Sequence, residues 1–297
     1  MPDSHRLTTQ EFLEQSANAL EVAGLFFGHG TDNAWDEACW LLETILKRHG
    51  HHEFHLEQTL DLHSAPMQAV QAVLQQRINS RRPLAYLLQE AWFCGLPFYV
   101  DERVLVPRSP IAELIANDFE PLLAQPPQRI LDLCTGGGCI GIACALAFPE
   151  AEVVLADLST DALLVAKQNV ARFELSERVH CVQSDLFAGL AGSFDLIVSN
   201  PPYVGLEEYE ALPREFLEEP RLGLVSDNEG LDIPLRILRE AGAWLNPQGI
   251  LVLETGATWP LLDEACPRLD MLWLDFEHGG EGVCMVRRDA LLDFARS

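Results

Sequence analysis

The 297-residue sequence predicts an α/β fold: a largely parallel sheet with helices on both faces, preceded by a separate helical domain. Three observations carry this. From about residue 128, short apolar runs alternate with stretches of helical length, as in a parallel sheet joined by helical crossovers. The first 90 residues instead carry apolar stripes at helical spacing. Between them, residues 91–108 (AWFCGLPFYVDERVLVPR) are β-rich and broken by Gly95-Leu96-Pro97 and Asp101-Glu102, which reads as a hairpin linking two domains. The expected division is 1–90, 91–108 and 109–297.

In the N-terminal part, Thr8-x-x-Glu11 is a capping box ahead of Phe12 and Leu13. Ala38, Leu41, Leu42, Ile45 and Leu46 form one helical stripe, and Met67, Val70, Val73, Leu74 and Ile78 another, started by Ser64 and Pro66. His51, His52 and His55 fall between them with no cysteine or carboxylate cluster to complete a metal site, so they read as a solvated loop. Hairpin strands are expected at Trp92–Cys94, Phe98–Val100 and Val104–Val106, and Ser109-Pro110 should open a helix with Ser as cap. Buried strands are expected at Arg129–Leu133, Val153–Ala156, Val179–Val182, Asp195–Ser199 and Ile250–Glu254, with helices near 139–147, 160–173 and 231–245. Leu272–Phe276 and Val283–Arg288 lie too close for a helical crossover, which predicts an antiparallel pair at one sheet edge.

Composition narrows the class. Apolar residues make up 48% and charged residues 22%, which excludes a disordered chain. No apolar run approaches the roughly 18 residues of a membrane span. The start, MPDSHRLTTQ, lacks the apolar stretch of a signal peptide, and the eight cysteines form no CxxC pair. A cytoplasmic protein with reduced thiols is the expectation. The net charge of −25 is opposite in sign to that of a protein gripping a phosphate backbone, so no direct nucleic-acid binding is expected. A basic protein partner suits such a field, although acidity can also serve solubility alone.

The segment Leu131-Asp132-Leu133-Cys134-Thr135-Gly136-Gly137-Gly138-Cys139-Ile140-Gly141 runs from a strand into a helix. Its glycines let a ligand approach the backbone near helix N–H groups. Gly136, Gly138 and Gly141 satisfy GxGxxG, a weak signal by itself that a nicotinamide-dependent oxidoreductase would share. Asp132 inside the first strand's end suits a ligand with a cationic amino-acid portion better than a pyrophosphate. Asp157 closes the second strand, where a carboxylate can accept both hydroxyls of an adenosine ribose. Asp185 follows the third and can accept from the adenine amino group, with Phe187 packing on the ring; equally, Asp185 can be a plain turn residue. Three acids after three successive strands, on the edge where open sheets bind ligands, fit S-adenosylmethionine.

After the fourth strand comes Asn200-Pro201-Pro202-Tyr203. A planar amide or aromatic amine is a poor nucleophile because its nitrogen lone pair is delocalised. The Asn200 carboxamide oxygen and the Pro201 carbonyl can accept the two N–H bonds of such a group. Two prolines stiffen the turn, and Tyr203 offers a face to a planar substrate. No strong base is required, so positioning and electrostatics should dominate.

Asn200–Tyr203 matches the (Asn/Asp)-Pro-Pro-Tyr motif of methyltransferases acting on planar nitrogens, and with Asp132–Gly138 the chain resembles the HemK-type protein-glutamine methyltransferases over nearly its whole length. The resemblance implies a seven-stranded Rossmann-like class I methyltransferase sheet and a small all-helical N-terminal substrate-recognition domain joined by a β-hairpin. It also implies Thr135, Gly136, Gly138, Asp157, Asp185 and Phe187 as cofactor contacts and Asn200, Pro201, Pro202 and Tyr203 as receivers of the substrate amide. Val104-Leu105-Val106-Pro107-Arg108-Ser109-Pro110 is similar to the branch that modifies large-subunit ribosomal protein three. The release-factor branch usually carries an Arg-Pro-x-Thr-Glu-like stretch there. Three consecutive glycines stand where relatives often have Gly-Ser-Gly. Arg108 either frames the entrance or is a surface arginine.

Residues 204–230, beyond the catalytic turn, hold eight acids (Glu207, Glu208, Glu210, Glu215, Glu218, Glu219, Asp227, Glu229) against Arg214 and Arg221. Such a loop is either a recognition element for a basic protein or a solvated acidic surface. An adenine or cytosine methyltransferase of nucleic acid should carry a basic recognition region. The first 90 residues instead hold six basic and twelve acidic side chains. An assembly factor without catalysis would have no need of the intact Asn-Pro-Pro-Tyr turn.

Overall fold

The computed structural model describes residues 6–296, so the first five residues of the stretch read for a leader lie outside it. The chain forms two compact units. One comprises the residues up to Glu90 together with Pro213–Glu218; the other comprises Ala91–Leu212 and the chain from Glu219 onward.

The first unit contains β1 (Arg6–Thr8), α1 (Thr9–Val22), α2 (Ala34–Arg48), β2 (Thr59–Asp61), α3 (Ala65–Ser80) and α4 (Leu84–Leu88). The capping box forms as the spacing requires: Thr8 Oγ1 accepts the Glu11 N–H at 3.2 Å and Glu11 accepts the Thr8 N–H at 2.8 Å. Leu13, Leu20, Leu42, Met67 and Val70 are buried where the helical stripes meet. His51, His52 and His55 are exposed. The unit is not all-helical. β1 and β2 pair antiparallel, Arg6 opposite Asp61 and Thr8 opposite Thr59, and three residues are too few to show a period of two.

Pro213–Glu218, from the acidic stretch, is the second departure. Glu215 is fully buried: it accepts the Phe26 N–H at 3.1 Å and pairs with Arg81 at 2.7 Å and Arg77 at 3.8 Å. Arg77, itself 1% exposed, holds Glu37 at 2.8 Å. Burial pushes the Glu37 carboxyl up, and the Arg77 charge pulls it back. Phe216 adds a ring contact to His29, with centroids 4.5 Å apart. Buried charges of this kind are tolerated only as a paired set. Arg77→Ala would strand the Glu37 carboxylate and leave Glu215 with Arg81 alone, and urea unfolding is expected to show a loss of about 3–5 kcal/mol.

The second unit opens with the hairpin of β3 (Ala91–Phe93) and β4 (Leu96–Phe98). The third hairpin run, Val104–Val106, forms no strand. Its valines are buried, and the Val106 N–H goes to the Glu219 carboxylate at 2.9 Å. A side chain replaces the ladder there. α5 (Ile111–Ala116) begins two residues after Ser109, whose oxygen accepts the Ile111 N–H at 3.2 Å. Then follow β5 (Arg129–Leu133), α6 (Cys139–Ala147), β6 (Glu152–Asp157), α7 (Thr160–Arg172), β7 (Val179–Gln183), β8 (Phe194–Ser199), α8 (Leu206–Ala211), α9 (Arg221–Leu224), α10 (Asp232–Trp244), β9 (Leu245–Glu254), α11 (Trp259–Ala265), β10 (Leu272–Trp273), β11 (Val283–Arg287) and α12 (Arg288–Phe294).

Seven strands form one sheet in the order β10-β11-β9-β8-β5-β6-β7. The five from β9 to β7 are parallel, and β11 and β10 close one edge antiparallel, as their short connection predicted. Parallel strands are buried on both faces, which explains their continuous apolar runs. The sheet divides the core in two. Ile115, Ile142, Ala166 and Val170 from α5, α6 and α7 pack on one face. Ile237, Leu238, Leu262 and Leu291 from α10, α11 and α12 pack on the other. No helix among the described residues is long and apolar enough to cross a membrane.

Candidate active site

Parallel pairing aligns the strand ends. Ala156 of β6, Leu133 of β5, Ser199 of β8 and Leu253 of β9 lie side by side. The next residue along each strand is therefore Asp157, Cys134, Asn200 or Glu254, one row of groups on the carboxyl edge, where open α/β sheets bind ligands. Ser199 reinforces the row by donating to the Leu133 carbonyl at 2.7 Å.

The glycine loop is built around two carboxylates. Asp132 is almost wholly buried and accepts from the Thr135 hydroxyl at 2.5 Å and the Gly141 N–H at 2.8 Å, tying both ends of the loop to β5. Burial pushes its carboxyl up to about 7, against those two hydrogen bonds. Its geometry is that of a loop support, turned inward. Gly141 must lack a side chain, because a Cβ would stand 2.2 Å from Leu155 Cδ2 and 2.8 Å from Asp132 Cβ. Asp157 accepts the Gly136 N–H at 2.9 Å on one oxygen and the Ser159 N–H at 2.8 Å on the other. Burial raises its carboxyl as well. Gly138 caps α6, and the buried Asn169 amide donates to the Gly137 carbonyl at 2.8 Å and to the Tyr99 carbonyl at 3.0 Å. Thr135 is buried, and a Cβ on Gly136 would meet nothing within 4 Å.

Beyond β7, Asp185 is half-exposed and pairs with Arg236 of α10 at 2.9 Å. Phe187 corrects the expectation of a ring presented to a flat ligand. It is 1% exposed and stacked on Trp244, with centroids 5.7 Å apart and planes at 16°. The tight turn before it causes this: Ser184 Oγ donates to the Leu186 carbonyl at 2.5 Å and accepts the Gly189 N–H at 2.9 Å. The segment thus curls inward and carries the ring into the core.

The Asn-Pro-Pro-Tyr turn is clamped from its far side. Pro201 is buried, and the Tyr203 carbonyl accepts from Thr258 Oγ1 at 2.8 Å. The Tyr203 ring lies so close to Gly256 (φ +47°) that a Cβ there would approach it to 2.7 Å. Sequence reading missed the group beneath this turn. Glu254, at the end of β9, is 3% exposed. It accepts from Ser109 Oγ at 2.5 Å and from the Tyr203 hydroxyl at 3.4 Å, and the pairing of Ser199 with Leu253 sets it beside Asn200 on the neighbouring strand. Burial pushes its carboxyl up to about 7 and that of the Tyr203 phenol well above its usual range. The available signal was an acid ending an apolar run, the same signal that singled out Asp157. Arg108 serves neither as a loose surface residue nor as an isolated gatepost. It forks onto the buried Glu219 at 2.8 and 2.6 Å, which anchors the stretch before α5 to the loop after the turn.

The methyltransferase small domain model matches residues 113–231, which include the glycine loop and the Asn-Pro-Pro-Tyr turn. Over 97% of its length the chain is 40% identical to the ribosomal protein uL3 glutamine methyltransferase of Francisella tularensis, covering 92% of that protein. It is 43% identical to the protein of the same name from Neisseria meningitidis, over 96% of this chain and 94% of the relative. The chain belongs to the uL3 glutamine methyltransferase family. In fold, this family member is similar to the hMettl16 catalytic domain bound to MAT2A 3'UTR hairpin 1, with TM-score 0.50 and 14% identity over 84% of this chain and 90% of that one.

The donor set of this methyltransferase fits a nucleoside cofactor. Each Asp157 oxygen takes one backbone N–H and retains a further lone pair for a hydroxyl. The uncrowded backbone at Gly136 leaves room beside it. Asp132 supplies a pH test of the loop. Its carboxyl titrates at about 7 in the folded chain and near ~3.9 unfolded, so between those values the folded state holds the proton that the unfolded state releases. Its contribution to stability is complete below about pH 4 and disappears as pH rises through about 7. Urea unfolding of Asp132→Asn should therefore gain on the wild type as pH climbs across that window.

Proposed function

We propose that this enzyme transfers the methyl group of S-adenosylmethionine to the side-chain amide nitrogen of a glutamine in ribosomal protein uL3, in the cytoplasm. The observation that carries the reading is the shared row. Asn200 stands in register with Asp157 and beside the glycine loop, so a clamped acceptor turn and a nucleoside-binding edge belong to one site. The names of two relatives at 40% and 43% identity support the substrate.

Each residue has a role in this reading. Asp157 receives the ribose hydroxyls, Thr135, Gly136 and Gly138 shape the backbone beside the nucleoside, and Asp185 accepts at the base. Asp132 supports the loop from beneath. When bound, S-adenosylmethionine supplies a sulfonium-activated methyl carbon. Asn200 Oδ1 and the Pro201 carbonyl accept the two N–H bonds of the glutamine amide and hold its plane. Pro201 and Pro202 remove freedom from the turn, and Tyr203 walls the amide. Holding the poor nucleophile at short range lowers the barrier through orientation, and acceptors aimed at its hydrogens stabilise the charge that grows on nitrogen. The exposed Glu207, Glu208, Glu210, Asp227 and Glu229 surround the turn with negative charge that suits a basic ribosomal protein and disfavours nucleic acid.

Labelled S-adenosylmethionine incubated with unmethylated uL3 and, separately, with release factor is expected to label a glutamine of uL3, read by mass spectrometry. Label on release factor alone would reject the substrate. Asn200→Ala should abolish transfer while calorimetry shows cofactor binding nearly intact; equal loss of both would make Asn200 structural. Asp157→Ala should weaken cofactor binding by about 1.5–3 kcal/mol, or ~10- to 150-fold in Kd, and an unchanged Kd would reject the ribose role.

A further inference from the structure

We propose that Glu254 is a positioning residue for the transfer: from the end of β9 its carboxylate takes the N–H end of the Asn200 carboxamide and so turns the Asn200 oxygen toward the substrate amide. The inference rests on the reading of Asn200 as the acceptor for that amide.

An asparagine side chain is ambiguous in orientation. A carboxamide carries an acceptor on one side and two donors on the other, and a half-turn about its last bond exchanges them. Substrate NH2 can use only the oxygen. A flipped Asn200 would present N–H to N–H and repel the group it should hold. Pro201 and Pro202 stiffen the backbone of the turn but leave this side-chain rotation free. Glu254 removes the freedom. An ionised carboxylate accepts hydrogen bonds and cannot donate them, so only the donor end of Asn200 can face it.

The register places Glu254 for this task. Ser199 pairs with Leu253, which brings Glu254 beside Asn200 on the neighbouring parallel strand. The carboxylate is held from the other side by the Ser109 hydroxyl at 2.5 Å and by the Tyr203 hydroxyl at 3.4 Å. One acid therefore joins the stretch before α5 and the end of β9 to the Tyr203 hydroxyl, with Asn200 next to it on the adjoining strand. A buried anion behind the carboxamide also polarises it, and its oxygen becomes a stronger acceptor as positive charge grows on the substrate nitrogen.

The charged and titratable groups facing this carboxylate are Arg108, which favours its ionised form, and Tyr203, which donates to it. Arg108 is itself neutralised by Glu219. Burial nevertheless brings Glu254 to titrate at about 7. Once protonated, it can donate to the Asn200 oxygen and stabilise the flipped amide. The active form is the ionised one, so turnover should rise with pH through about 7.

The test measures methyl transfer to uL3 by the full-length enzyme, with calorimetry for S-adenosylmethionine. Glu254→Ala is expected to lower kcat at least tenfold while the Kd for the methyl donor changes less than about twofold. Glu254→Gln preserves shape and can still accept from Asn200, so it should fold, retain more kcat than the alanine variant and lose the acid limb near pH 7. Wild-type kcat in Glu254→Ala overturns the inference, as does an acid limb that persists in Glu254→Gln. Parallel loss of donor binding and kcat in both variants makes Glu254 structural and likewise overturns it. A wild-type enzyme that transfers no methyl to uL3 overturns the parent reading, an outcome distinct from the others.

Discussion

The site depends on the register of four parallel strands. Hydrogen bonds between β6, β5, β8 and β9 set Ala156, Leu133, Ser199 and Leu253 level, so the next residues stand in one row at the carboxyl edge. A slip of one residue in any strand would turn its terminal side chain to the other face of the sheet. The apolar runs buried on both faces of the sheet forbid such a slip, because it would misalign the packing of both core layers at once. Core packing at the centre of the sheet thus fixes chemistry at its rim.

On this frame the protein organises its loops with buried carboxylates. Asp132 and Asp157 hold the glycine loop, Glu254 lies against the Asn-Pro-Pro-Tyr turn, Glu219 captures Arg108 and Val106, and Glu215 ties its segment to Arg77 and Arg81. Taking so many charges out of water is costly, and each is offset by backbone N–H groups, hydroxyls or an arginine. The return is geometric. A carboxylate accepts several donors from different directions and can lock segments that share no strand ladder. The raised Asp132 and Glu254 carboxyls show where the offset is least complete, and both lie beside the proposed reaction centre.

The acidic stretch after the turn divides along the same line. Glu207, Glu208, Glu210, Asp227 and Glu229 are exposed and contribute to the field a basic partner would meet. Glu215 and Glu219 are fully buried and act as anchors. The two kinds are indistinguishable in a charge count, because a count carries no information about which acid finds an arginine.

Sequence alone determined the strand–helix alternation, the antiparallel sheet edge, the glycine loop, the Asn-Pro-Pro-Tyr turn and the capping box at Thr8, because periodicity and turn chemistry are local properties. Only the tertiary structure decided the rest. Strands of three residues were too short to show a period, so β1 and β2 were hidden. Val104–Val106 looked like a strand until Glu219 took its backbone donor. Phe187 looked like a ligand platform until the Ser184 turn drove it onto Trp244. Glu254 became visible as part of the site only when β9 settled beside β8, since the distance between a carboxylate and an asparagine 54 residues earlier in the chain is set by strand order.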